Sequence, residues 1–240
     1  MTLSDLKEHH RKIYAPENMI ITVGTRQHPA GIMALLKEKL TNIPATGFKS
    51  VEPNRPKDIS GVVTAHEKMD KEQVFIYLGN LLPPASSPDA PALKVASAVL
   101  SERLHKNIRE KQGLAYRVGS SVTLDKKFGW FVCSMGTGAN NYEKARKAIL
   151  FEIERLKKEP PTEEELETAV NSIWGSYLSA NLSRINQVYY MGVYEYLGLG
   201  YNYGDKYISD IRSVTAEQVA ETAQKYFDTE NYVIATAGNI

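Results

Sequence analysis

The chain has 240 residues, 42% hydrophobic and 24% charged, the balance of an ordinary soluble globular protein with one large domain or two small ones. A formal charge of +1 offers no electrostatic basis for binding nucleic acid or an anionic membrane, and no apolar run approaches the roughly 20 residues of a membrane span. A lone cysteine, Cys133, excludes an intrachain disulfide and leaves the compartment, cytoplasmic or periplasmic, open. Met1-Thr2-Leu3-Ser4 leads straight into a charged helix rather than a signal peptide, and Thr2 with Asp5 forms a capping-box pattern. Met19 to Gly24 is an apolar strand pattern. Ala30 to Leu40 carries Ile32, Leu35, Leu36 and Leu40 at helical spacing. Pro44 to Ser60 holds Pro44, Gly47, Pro53 and Pro56 and reads as an extended linker. It supplies the domain boundary, dividing residues 1–50 from residues 51–240.

Val62 to His66 and Gln73 to Leu81 pattern as two strands, with Met69-Asp70-Lys71 near their turn. Ser87-Pro88-Asp89 is placed to cap a helix over about Ala90 to Lys111, whose apolar stripe is Leu93, Ala96, Val99, Leu100, Leu104 and Ile108. Tyr116 to Leu124 and Phe128 to Gly136 are strands joined at Asp125-Lys126-Lys127. Helices follow at Asn141 to Lys158, Glu163 to Leu182 and Ser183 to Tyr196, the last ended by Gly198. A capped helix from Thr215 and a strand from Tyr232 to Gly238 close the chain. The order predicts an α+β fold, an antiparallel or mixed sheet with helices packed on one face.

The two ends resemble each other at a constant offset. Thr2 matches Thr215, Lys12 matches Lys225, the aromatic Tyr14 matches Phe227, and Glu17-Asn18 matches Glu230-Asn231 before an apolar strand. A duplicated helix–strand unit accounts for this better than two unrelated ones. The second copy can join the sheet built by the residues before it. The first has almost nothing before it, so Met19 to Gly24 is expected to be an orphan edge, free to pair with another chain in a strand-swapped homodimer.

Chemistry-bearing residues are few. Arg109 and Tyr116 flank Gly113, a candidate helix C-cap, across a helix–strand corner. There a guanidinium and a phenol could converge on one peptide group. The alternative is an arginine on a solvated helix face and a tyrosine at a sheet edge. The five histidines are His9, His10, His28, His66 and His105. Adjacent helical positions point about 100° apart, so His9 and His10 make a poor metal pair. The other three stand alone, and no metal is expected in this chain. Cys133, in the apolar run Phe128 to Met135, is a buried thiol rather than a nucleophile, and no G-x-S-x-G motif occurs. Glu163-Glu164-Glu165 suits a helix N-terminus. Gly136 to Asn141 lacks the spacing of a phosphate loop and reads as a tight connection. A tyrosine-rich tract from Tyr177 to Tyr207 suits either an interface or a helix flank.

One block carries a resemblance. Arg109-Glu110-Lys111-Gln112-Gly113-Leu114-Ala115-Tyr116 resembles the R-E-K-x-G-L-A-Y segment in the second domain of the pitrilysin-type zinc metallopeptidases. Leu6 to Met19 resembles the segment closing the first domain of each half of those proteins, and Pro161 to Glu167 the start of a late helix. The resemblance implies that residues 1–50 are the helix–strand–helix tail of a preceding domain. Residues 51–240 would then form the non-catalytic second domain of a pitrilysin-like half. Catalysis in that family needs an H-x-x-E-H motif, which is absent here. The zinc is therefore expected in a partner half or domain of the same or another chain. The family's facing half grips the peptide substrate through an arginine and a tyrosine, and Arg109 and Tyr116 match them in type and separation. Two readings stay open. If the chain comes from the zinc-bearing half, Arg109 and Tyr116 are only structural. Relatives also serve as non-catalytic scaffold subunits of larger assemblies.

Overall fold

Strict alternation builds the central strand. In β2 (Gln73–Leu82), Val74, Ile76 and Leu78 are buried while Phe75 and Tyr77 stay about half exposed. The same alternation in β4 (Gly129–Gly138) buries Phe131, Cys133 and Met135. These strands form the middle of a five-stranded sheet with β1 (Val63–Lys68), β3 (Arg117–Leu124) and β5 (Val233–Gly238), in the order β1-β5-β2-β4-β3. Only β1 and β5 run parallel, so the sheet is mixed. The computed structural model describes residues 1–49 and 53–240, so the expected boundary at 50/51 and that part of the linker lie outside the described residues.

The helices are α1 (Leu3–Ile13), α2 (Pro29–Leu40), α3 (Ala90–Leu104), α4 (Tyr142–Lys158), α5 (Glu163–Ala180), α6 (Arg184–Tyr196), α7 (Gly204–Arg212) and α8 (Ala216–Tyr226). Of these, α3, α4 and α8 pack directly on the sheet. The α+β architecture expected from the element order is the one found. α3 is its central helix: Ala92, Leu93, Val95, Ala96, Val99 and Leu100 are all buried, more than the single stripe predicted. The reason is position, since α3 lies between β3 on one side and α5 and α8 on the other. Phe131 of β4 stacks on Phe227 at the end of α8, with ring centroids 3.9 Å apart.

Three expectations are corrected, while Met19 to Gly24 is the unpaired segment expected: it forms no ladder among the described residues. It lies instead against α6, where a Cβ on Gly24 would come within 2.5 Å of the Val188 Cγ2. Asp89 sits at the α3 N-cap position without capping it. Its carboxylate turns to α8, accepting from Lys225 Nζ and Tyr226 Oη at 2.7 Å each. The predicted helix over 90–111 does not continue as an α-helix beyond Leu104. Finally, α7 arises in a tract that carried no helix prediction.

The repeat is real in local structure and unequal in packing. Thr2 and Thr215 both make complete capping boxes. Yet α8 buries Val219, Ala220, Thr222 and Ala223, whereas α1 buries no residue. One glycine is demanded by the sheet. A Cβ on Gly79 would lie 1.9 Å from the Phe131 carbonyl oxygen, which belongs to a paired strand and cannot step aside. Gly79→Ala is expected to cost about 3 kcal/mol, at or beyond the upper end of ordinary overpacking. A lowered urea midpoint at unchanged m-value checks it.

Candidate functional site

The helix ending α3 widens into a π-turn over His105–Glu110. Such turns insert one residue and occur often at functional sites. Here the insertion keeps Ile108 fully buried while Arg109 faces solvent. Gly113 closes the turn at φ 62, as its C-cap role requires, with its N–H donating to the Arg109 carbonyl at 3.1 Å. The Leu114 N–H reaches the Ile108 carbonyl at 3.1 Å, and Thr137 Oγ1 of β4 donates to the Leu114 carbonyl at 2.7 Å. Leu114 and Ala115 are buried. The corner is thus anchored on both sides of the exposed residues it presents.

Arg109 and Tyr116 do come together. The guanidinium carbon lies 5.5 Å from the Tyr116 ring centroid, within cation–π range, and Tyr116 stands 75% exposed. Arg109 is exposed as well. His105, which the sequence offered only as a lone surface histidine, has a role in this pair. Its Nε2 contacts Arg109 Nη1, and its Nδ1 lies 3.3 Å from Glu110 Oε1. Arginine only donates, so Nε2 accepts and the Nδ1 proton faces Glu110. The sequence signal was the i,i+4 spacing of His105 and Arg109.

One further tie holds the π-turn. Asn107 Nδ2 donates to Glu152 Oε1 of α4 at 3.0 Å, and burial pushes the Glu152 carboxyl above the usual carboxylate range. One turn earlier, Arg103 is 4% exposed and makes a two-pronged bond with Glu165, Nε to Oε1 at 2.9 Å and Nη2 to Oε2 at 2.8 Å. The Arg103 guanidinium holds the Glu165 carboxyl below its ordinary value. Glu165 also completes the α5 capping box with Thr162, so it does more than favour the helix dipole. Gly113→Ala would force a Cβ into the left-handed region. A loss of about 1–2 kcal/mol is expected, read by thermal unfolding.

The remaining candidates are structural. Among the described residues, no three His, Cys, Asp or Glu side chains gather as a metal site. His28 caps α2, accepting from the Ala30 N–H at 3.3 Å; His10 stacks on Tyr14; His66 Nδ1 lies 2.9 Å from Thr236 Oγ1. Cys133 is fully buried, and burial pushes its thiol up. The tyrosine tract is largely a helix flank. Tyr177, Tyr194, Tyr203 and Tyr207 pack on one another between α5, α6 and α7, and Lys94 Nζ sits 4.5 Å over the Tyr207 ring. Among the described residues, no helix is long and apolar enough to cross a membrane.

Known proteins resemble the chain throughout. The sequence profile of the peptidase M16 inactive domain matches residues 1–173. An "uncharacterized zinc protease YmxG" of Bacillus subtilis is 24% identical over 247 residues, covering 96% of this chain and 56% of that protein. An uncharacterized zinc protease of Mycobacterium leprae is 31% identical over 130 residues, 52% of this chain and 29% of that protein. The crystal structure of a peptidase M16 inactive domain from Pseudomonas fluorescens superposes with a TM-score of 0.89 at 25% identity, over 100% of this chain and 58% of that one. A protease from Helicobacter pylori superposes at 0.87 with 21% identity, over 99% and 59%. The chain thus spans no more than a little over half the length of the curated relatives it matches. It belongs to the peptidase M16 family, the pitrilysin-type zinc peptidases, as an inactive domain of that family.

Proposed function

We propose that this chain is the substrate-gripping, non-catalytic part of a zinc peptidase, with Arg109 and Tyr116 holding the peptide backbone opposite a zinc-bearing half. The observation that carries this reading is the corner itself. A guanidinium and a phenol converge there with their donors exposed, on a backbone locked by Gly113, Leu114 and Thr137. The partner half supplies zinc-dependent hydrolysis. Arg109 and Tyr116 bind and orient one peptide group and donate to its carbonyl oxygen as negative charge develops there. His105 accepts from the guanidinium and is itself held by Glu110.

The same reading accounts for residues 1–50 as the tail of a preceding domain. α1 keeps Leu3 and Leu6 exposed, and Ile20, Ile21 and Val23 of the unpaired segment are about half exposed. A core and a sheet belonging to the preceding domain would take them up. In the isolated chain a second copy would serve, giving a strand-swapped dimer.

The test is reconstitution. The chain alone is expected to hold no stoichiometric zinc and to cleave no unfolded peptide, while mixing with a zinc-bearing half restores cleavage. A stable complex that never cleaves would instead favour a scaffold role. Cleavage by the isolated chain would overturn the proposal.

A further inference from the structure

Glu152 is a carboxylate where an apolar side chain would serve the fold. It is 4% exposed, on the face of α4 that also buries Ile149, Ile153 and Leu156. Burial raises its carboxyl against the opposing pull of Arg155, the Asn107 hydrogen bond, Arg103 and Lys111. Its Oε1 accepts from Asn107 Nδ2 at 3.0 Å. Its Oε2 takes no hydrogen bond among the described residues. Arg155 Nη1 stands 3.5 Å from it, while Arg155 Nε donates to Glu159 at 2.8 Å. Desolvating a carboxylate is unfavourable, and an oxygen without a donor makes it more so. The hydrogen bond that Glu152 gives another element goes to Asn107, inside the π-turn.

Asn107, Ile108 and Arg109 are consecutive and take three directions: towards α4, into the core and into solvent. Ile108 sets the depth of the turn, but apolar contact has no direction. The Asn107–Glu152 hydrogen bond has one, so it fixes the rotation of the turn about its axis. Arg109 follows two residues on, and that rotation decides where its guanidinium stands relative to the Tyr116 ring. The outgoing side of the corner is held separately, by Thr137 on the Leu114 carbonyl.

We infer that Glu152 is a positioning residue for the gripping corner: through Asn107 it holds the π-turn in the rotation that places Arg109 beside Tyr116. It touches no substrate itself. The functional consequence rests on the gripping role, whereas the tie reads out without it.

The test exchanges the two partners. Asn107→Asp sets a second carboxylate against Glu152, and like charges at that distance repel. In the reconstituted pair kcat/KM is expected to fall about tenfold, as a displaced binding group does. Adding Glu152→Gln puts the donor on α4 and the acceptor on the turn, and should bring kcat/KM back to within about threefold of the parent. In an Arg109→Ala chain, Asn107→Asp should lower kcat/KM by no more than about twofold further, because its effect passes through Arg109. In the chain alone, deuterium uptake over residues 105–114 should rise in Asn107→Asp and return to the parent level in the double variant. If Asn107→Asp lowers Tm too far to assay, Asn107→Ala, which adds no charge, takes its place in each comparison. Parent-like kcat/KM in the single variant, no recovery in the double variant, or an equal loss with and without Arg109 would each overturn the inference. Full activity of Arg109→Ala would instead overturn the gripping role beneath it, and the uptake measurement would still report whether the tie orders the turn.

Discussion

Glu165→Ala is expected to destabilise the fold by about 3 kcal/mol, because it leaves a buried guanidinium without its carboxylate. Arg103 is 4% exposed, and with its two-pronged bond to Glu165 gone its hydrogen bond to the Glu159 carbonyl at 3.3 Å would be left. Glu165 is the more exposed partner, yet the cost falls on the residue left behind. The α5 capping box goes with it. Replacing both partners, Arg103→Met with Glu165→Leu, should recover much of the loss, since the buried charge is removed as well. Urea unfolding of the two variants checks the pair, and a loss below about 0.5 kcal/mol for Glu165→Ala would contradict the burial argument. The pH dependence has a definite sign. Glu165 has a folded pKa below its ordinary value of 4.5. Its contribution is full above the ordinary value and is lost as pH falls through the lowered one.

The second large effect concerns activity. In the reconstituted pair, Arg109→Ala is expected to lower kcat/KM by about 10²–10³, the loss typical of one preorganised donor to a developing oxyanion. Arg109→Lys should restore only part of this, because an ammonium keeps the charge and loses the planar fork. Tyr116→Phe keeps the ring against the guanidinium and removes only the hydroxyl, so roughly a tenfold loss is expected for a single hydrogen bond. Arg109 and Tyr116 are both exposed, and each variant should unfold within about 0.5 kcal/mol of the parent. An unchanged kcat/KM for Arg109→Ala would leave the corner with no part in catalysis.

Features decided by neighbours in the chain were legible. The alternation of β2, the capping boxes at Thr2 and Thr215, the Gly113 cap and the strand pairs either side of α3 all stood in local pattern. Arg109 and Tyr116 were also legible as a pair, since a C-cap turn between them sets their approach. What stayed hidden depends on distant partners. Asp89 looks like a cap until Lys225 and Tyr226 arrive from α8. Glu165 looks like a dipole residue until Arg103 arrives from α3. The π-turn has no propensity signal; the buried Ile108 and the Asn107–Glu152 bond accompany it. α7 lay inside a glycine- and tyrosine-rich stretch where four rings had to pack before a helix made sense.

The central claim is that Arg109 and Tyr116 act on one peptide group. A double-mutant cycle in kcat/KM of the reconstituted pair measures that directly, with Arg109→Ala, Tyr116→Phe and both together. Two donors sharing one carbonyl should show a coupling of about 1 kcal/mol or more, the double variant losing less than the product of the single losses. Losses that multiply, with coupling near zero, would mean that the two residues serve separate ends and that the corner does not grip the substrate.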